Sequence, residues 1–96
     1  MNKFLLLFYG PVQDSPELRA ASQRWFGRLG DRVVDSGNPF GSCVEVTKAG
    51  SRDRLGDDAT PTGYSIISAE SRDDAERLVE GCPFATTVLM CEAKRM

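Results

Sequence analysis

From Gly63 to Pro83 the chain runs through a strand, a helix cap, a helix and a helix stop with no spacer between them, so any fold must accept a β-strand that feeds directly into a short helix. Tyr64, Ile66 and Ile67 are aromatic and β-branched, suited to a pleated and partly buried surface, and Gly63 marks the turn before them. A strand is expected from Tyr64 to Ala69. Ser71 can accept from the free backbone N–H three residues on, and Asp74 is placed to reach back to the amide of Ser71. Asp73 and Asp74 also complement the positive helix end. Ala75, Leu78, Val79 and Cys82 then recur at i, i+3, i+4 and i+7 on one face, with Arg72, Glu76, Arg77 and Glu80 on the other. Gly81 is expected to give a left-handed terminus, and Pro83 disfavours helix at Cys82.

The opening strand, Lys3 to Tyr9, is apolar on both sides: Phe4, Leu6 and Phe8 on one, Leu5, Leu7 and Tyr9 on the other. A helix layer covers one face. Leaving Leu5 and Leu7 in water forfeits several kcal/mol, at about 1.5–3 kcal/mol per fully buried large side chain. The second cover is therefore expected to be another copy of the chain, packed sheet to sheet.

Gly10-Pro11 closes this strand, and Ser15-Pro16-Glu17 is a helix start with Ser15 as cap and Pro16 at the first helical position. The helix is expected to reach about Leu29, with Leu18, Ala21, Ser22, Trp25 and Leu29 on its apolar stripe. Gly30-Asp31 ends it. Arg32 to Asp35 reads either as a short extended piece or as the lead into a turn at Ser36-Gly37-Asn38-Pro39. From Ser42 to Lys48, alternation predicts a strand with one face partly solvated, toward a sheet edge. Ala49 to Thr62 carries glycines, mixed charges and almost nothing to bury, and is expected to be a loop. Ala85 to Ala93 reads as a last strand, with Val88 and Met90 opposite Leu89 and Cys91, before a solvated Lys94-Arg95 tail. The order is βαββαβ, the split βαβ arrangement of ferredoxin-like domains, in the α+β class: an antiparallel sheet with two helices on one face.

Ninety-six residues make one domain, small enough that association helps it bury surface. A formal charge of −2, with no basic run, argues against a nucleic-acid partner. The longest apolar run, Phe4 to Tyr9, is too short to span a bilayer and lacks a signal-peptide cleavage site, so no membrane partner is expected and the cytoplasm is the expected compartment. Three cysteines, Cys43, Cys82 and Cys91, have no CxxC spacing and are read as reduced thiols. There is no histidine, which excludes Ser-His-Asp and Cys-His catalysis and imidazole metal sites; no cofactor and no metal are expected.

Gly63-Tyr64-Ser65-Ile66-Ile67, Ala69, the capped Ser71-Arg72-Asp73-Asp74-Ala75 and Gly81-Cys82-Pro83 resemble the YCII-related proteins. Met1 to Gly10 is similar to that family's opening strand ending in Tyr-Gly, Trp25 falls in its first helix, and Gly37-Asn38-Pro39 matches its Gly-x-Pro turn. The resemblance covers nearly the whole chain except Ser51 to Thr62. It implies a ferredoxin-like protomer in a dimeric α+β barrel, with a cleft between helices and sheet that in some branches acts on small organic molecules. Those branches use a first-helix histidine and an aspartate before the proline after the second helix. Here Ala20 or Ser22 stands in the first place and Cys82, before Pro83, in the second. The Asp-Gly-Pro-Phe motif of another branch is replaced by Gly56-Asp57-Asp58-Ala59-Thr60-Pro61.

The candidate pocket residues are Tyr9, Ser22, Trp25, Tyr64 and Cys82. A phenol can orient or protonate a ligand, whereas Trp25 reads better as a core anchor and Cys82, at the negative end of a helix, as a packing thiol. Arg24 or Arg28 could meet an anion, and Asp57 with Asp58 a cation, though solvated surface roles suit both pairs better. Three functions remain open: a homodimeric small-molecule-binding or interaction domain; an isomerase or lyase using tyrosine and carboxylate in the cleft; and RNA binding on exposed sheet aromatics, which the acidic balance opposes.

Overall fold

The computed structural model describes residues 1–54 and 56–95; Leu55, within the expected loop, and Met96 lie outside the described residues. The chain is α+β. Strands β1 (Asn2–Tyr9), β2 (Val33–Asp35), β5 (Gly63–Ala69) and β6 (Thr87–Ala93) form one antiparallel sheet in the order β2-β5-β1-β6. Helices α1 (Pro16–Leu29) and α2 (Arg72–Val79) lie on one face of it, and β3 (Cys43–Thr47) and β4 (Gly50–Arg54) form a separate hairpin.

Both helices begin as the local chemistry dictates. The hydroxyl of Ser15 accepts from the amide of Leu18 at 3.1 Å, and that of Ser71 from the amide of Asp74, also at 3.1 Å. The Asp74 carboxylate does not return to Ser71. It accepts instead from the amide of Glu70 at 3.0 Å and pairs with Arg32, whose Nε donates to the Ser68 carbonyl at 3.0 Å. The first turn of α2 is thus tied to the end of β5 and to the exit of α1. Gly81 is not left-handed either; α2 ends with Glu80 still helical and the Cys82 amide donating to the Val79 carbonyl at 2.9 Å. At the end of α1 a positive-φ glycine does occur, Gly30 at φ 58°, and it opens a single 3-10 turn, Gly30–Arg32.

The core lies between helices and sheet. Phe4, Leu6 and Phe8 of β1 and Ile67 and Ala69 of β5 face Trp25 and Leu29 of α1 and Ala75 of α2, all buried. Trp25 is the link between the helices: its indole N–H donates to the Leu78 carbonyl at 3.0 Å, satisfying an acceptor that the last turn of α2 leaves free. On the opposite face, register places Leu5 beside Ile66 and Cys91, and Leu7 beside Tyr64 and Leu89. No element among the described residues covers this row, and Leu89 is 48% exposed.

The 49–62 segment is not the simple loop its composition suggests. Its first part, Gly50–Arg54, is β4, paired with β3 from Cys43↔Arg54 to Thr47↔Gly50. Backbone pairing and ion pairs make this strand without hydrophobic alternation. Glu45 meets Arg54 at 2.8 Å and Arg52 at 3.8 Å. The Ser42 to Lys48 strand therefore joins no edge of the main sheet, and the hairpin stands away from it.

Candidate functional site

The helix-facing positions of β5 begin with two very small residues. Gly63 and Ser65 lie opposite Phe8 and Leu6, where larger side chains would fill the space beneath α1. The stripe Leu18, Ser22 and Phe26 of α1 passes over the same gap, and Phe84, after α2, closes one end. Between them is an open cleft of about 680 Å³. The Phe84 end is aromatic: Phe8 meets Phe84 edge-on at 4.7 Å, Trp25 meets Phe84 at 5.7 Å, and Phe26 stacks near Phe84 at 6.2 Å.

The far wall is the 36–39 turn, held against the start of β5. The Ser65 hydroxyl donates to the Ser36 carbonyl at 2.7 Å, the Gly37 amide to the Asp35 carboxylate at 2.8 Å, and the Tyr64 amide to the Asn38 carbonyl at 3.3 Å. Gly37 has φ 76°, and a Cβ there would lie 1.7 Å from the Tyr64 carbonyl oxygen. Only glycine lets the two backbones approach so closely.

The polar groups of the cleft are mostly neutral. The hydroxyls of Ser22 and Thr62 donate to the backbone carbonyls of Leu18 and Phe8, at 2.8 and 3.1 Å, and keep lone pairs for a ligand. Gln13, Gln23 and Asn38 line the cleft as well. Among the described residues Arg19 alone brings a permanent charge to the lining, and it is already paired with Asp14 at 2.6 Å. No aspartate, glutamate, lysine or cysteine belongs to the lining among the described residues.

The five candidate residues separate. Ser22 lines the cleft, and Trp25 lies just beneath it as a buried anchor with its N–H satisfied. Tyr64 borders the cleft, but alternation with Gly63 and Ser65 turns its side chain to the open sheet face. There the ring stacks on Phe40 at 5.9 Å, and the hydroxyl donates to the Asp35 carboxylate at 3.1 Å. Tyr9 shares that face with Leu5 and Leu7. Cys82 packs against the core, half-buried, and burial pushes its thiol pKa up against the weaker pull of the Phe84 and Ala85 amides, so it stays protonated. The Tyr64–Asp35 pair is the phenol and carboxylate that an acid–base mechanism requires, on the opposite side of the sheet from the cleft.

Other expected constellations also resolve into structure. Asp57 accepts from the Thr60 hydroxyl at 2.8 Å and the Ala59 amide at 3.0 Å, which hold its carboxyl below the usual range; it shapes a turn. No group of metal-ligating side chains occurs among the described residues, and none of their helices is long and apolar enough to cross a membrane. The chain matches no family model, no curated protein and no solved structure.

As a set of residues the cleft is not written in the sequence. Its one local signal is the pair Gly63 and Ser65, small residues in phase with buried Ile67 on one strand face. Pro11, Pro39 and Phe84 carry no such signal, because they reach the site through loops.

Proposed function

We propose that this chain is a non-catalytic, homodimeric domain of the YCII-related type that binds an uncharged, largely apolar small molecule beneath α1. The chemistry of the cleft carries the reading. Aromatic and aliphatic walls with a few neutral hydrogen-bonding groups fit an organic ring system with one or two polar substituents. Proton transfer needs a titratable group within reach of the ligand, and the Tyr64–Asp35 pair near the cleft faces away from it.

The ferredoxin-like protomer is supported by strand order. In β1-α1-β2 the two strands are both antiparallel to β5, which sits between them; in β5-α2-β6 the inserted strand is β1. The dimer is supported by the uncovered row of Leu5, Leu7, Ile66 and Leu89, a continuous apolar strip across the three longer strands.

Titration with Nile red, a neutral apolar fluorophore, tests the ligand reading. Saturable fluorescence enhancement at micromolar protein is expected, lost in Leu18→Trp and Ser22→Phe variants that fill the cleft. Enhancement that is non-saturable, or equal in the filled variants, would refute it.

A further inference from the structure

We propose that the β3–β4 hairpin is a dimer arm, packed on a second copy of the chain through Val44 and Val46. The inference rests on the dimer reading above and adds an element to its interface. The two faces of the hairpin differ. One is charge-compensated, with Glu45 bridged to Arg52 and Arg54; the other carries Val44 and Val46, 57% and 74% exposed, opposite Asp53 and Ser51. Two adjacent valines in water on a strand that joins no larger sheet gain nothing for the single chain.

Shape and continuity point to the same partner. The radius of gyration is 14.4 Å against about 13 Å for a compact domain of some 100 residues, and the molecule measures 42 × 40 × 18 Å, a flat body. The chain enters the arm through Phe40, Gly41 and Ser42, and within the arm Val44 and Val46 share one face. Phe40 already lies on the open sheet face, stacked on Tyr64, which pairs with Leu7. The arm thus leaves the main body from the apolar open face, three residues after Phe40.

Area identifies what the arm is for. Strands of 8, 7, 7 and 3 residues, at about 3.3 Å per residue and about 4.8 Å apart, present roughly 400 Å² of flat surface, so two sheets pressed together bury on the order of 800 Å². Stable specific interfaces bury about 1,200–2,000 Å². An arm of two five-residue strands presents roughly 160 Å² and covers as much of its partner, so two arms raise the total to about 1,400 Å². A second copy is the occupant that closes this deficit with surface the chain already has.

Sedimentation equilibrium on the full chain tests the arm. The wild type is expected to be a dimer, a Leu7→Glu variant a monomer, and Val44→Asp/Val46→Asp a folded protein whose dimer Kd is at least fivefold higher. Val44→Thr/Val46→Thr keeps shape and strand propensity, and a smaller rise is expected; it decides the question should the aspartate variant fail to fold. If the wild type is dimeric and Leu7→Glu monomeric, but the aspartate variant raises Kd less than fivefold, or the threonine variant alone is measurable and leaves Kd unchanged, the arm proposal falls and the sheet-face dimer stands. A monomeric wild type overturns both.

Discussion

The same substitution, glycine to alanine, is expected to have opposite signs at two positions. At Gly37 the new Cβ meets the Tyr64 carbonyl oxygen at 1.7 Å with φ at 76°, and rigid backbone, not a flexible side chain, must move. The left-handed conformation costs about 1–2 kcal/mol for an alanine. Separating the turn from β5 also breaks the Tyr64 amide to Asn38 and Ser65 hydroxyl to Ser36 bonds, each contributing about 1 kcal/mol. The total is about 3–4 kcal/mol, a large part of the roughly 5–14 kcal/mol that a chain of this size has. Gly27 lies inside α1 with nothing within 4 Å of an added Cβ, so alanine there removes only the glycine penalty and stabilises by about 1 kcal/mol. Thermal unfolding at one fixed protein concentration separates the two, since about 1 kcal/mol moves Tm by about 4–8 °C in a domain this small. A Gly37→Ala protein with a Tm indistinguishable from wild type would show that the 36–39 turn does not pack against β5 as described.

Trp25→Phe leaves the Leu78 carbonyl without its donor and a gap beneath the cleft, and is expected to lower stability by about 2–3 kcal/mol in denaturant unfolding. Asp74 is held below the usual aspartate range by the Glu70 amide first and then by Arg32, against the opposing effect of desolvation. Its folded-state pKa lies below the unfolded one, so its stabilisation is complete above about pH 4 and lost as pH falls through the folded value. Asp57 adds to the same acid limb. The fall in Tm below about pH 4 should therefore be shallower in Asp74→Asn than in wild type, and an unchanged slope would remove Asp74 from the account. Cys82, with its raised pKa and half-buried position, is expected to react with iodoacetamide at neutral pH more slowly than in the unfolded chain, measured by mass spectrometry of its peptide.

Features governed by neighbours in sequence are legible from the residues alone. Ser15 and Ser71 cap because a hydroxyl reaches an amide three residues ahead in any chain that turns helical there. Alternation in 2–9 and 87–93 divides the side chains into two sets, and both sets sit where the pleat puts them. The strand at 50–54 is invisible to such patterns because Ser51, Arg52, Asp53 and Arg54 contain no apolar alternation; they are extended by hydrogen bonding to β3, a partner that local propensity does not see. The capping-box role expected of Asp74 fails for the same reason, its acceptor atoms being claimed by Glu70 and by Arg32, which arrives from another element.

The amino-acid order alone determined where most elements begin and end and which side chains travel together, because caps and pleats act over three or four residues. It left Leu5 and Leu7 on the side without helices but held no physical reason for that choice over the other greasy side of β1, and the choice sends Tyr9 and Tyr64 away from the cleft and Phe8 into it. Only the assembled sheet decided it. A strand apolar on both sides satisfies local rules equally well either way up, and the tie is broken by contacts between residues far apart in the chain, such as Trp25 with Leu78.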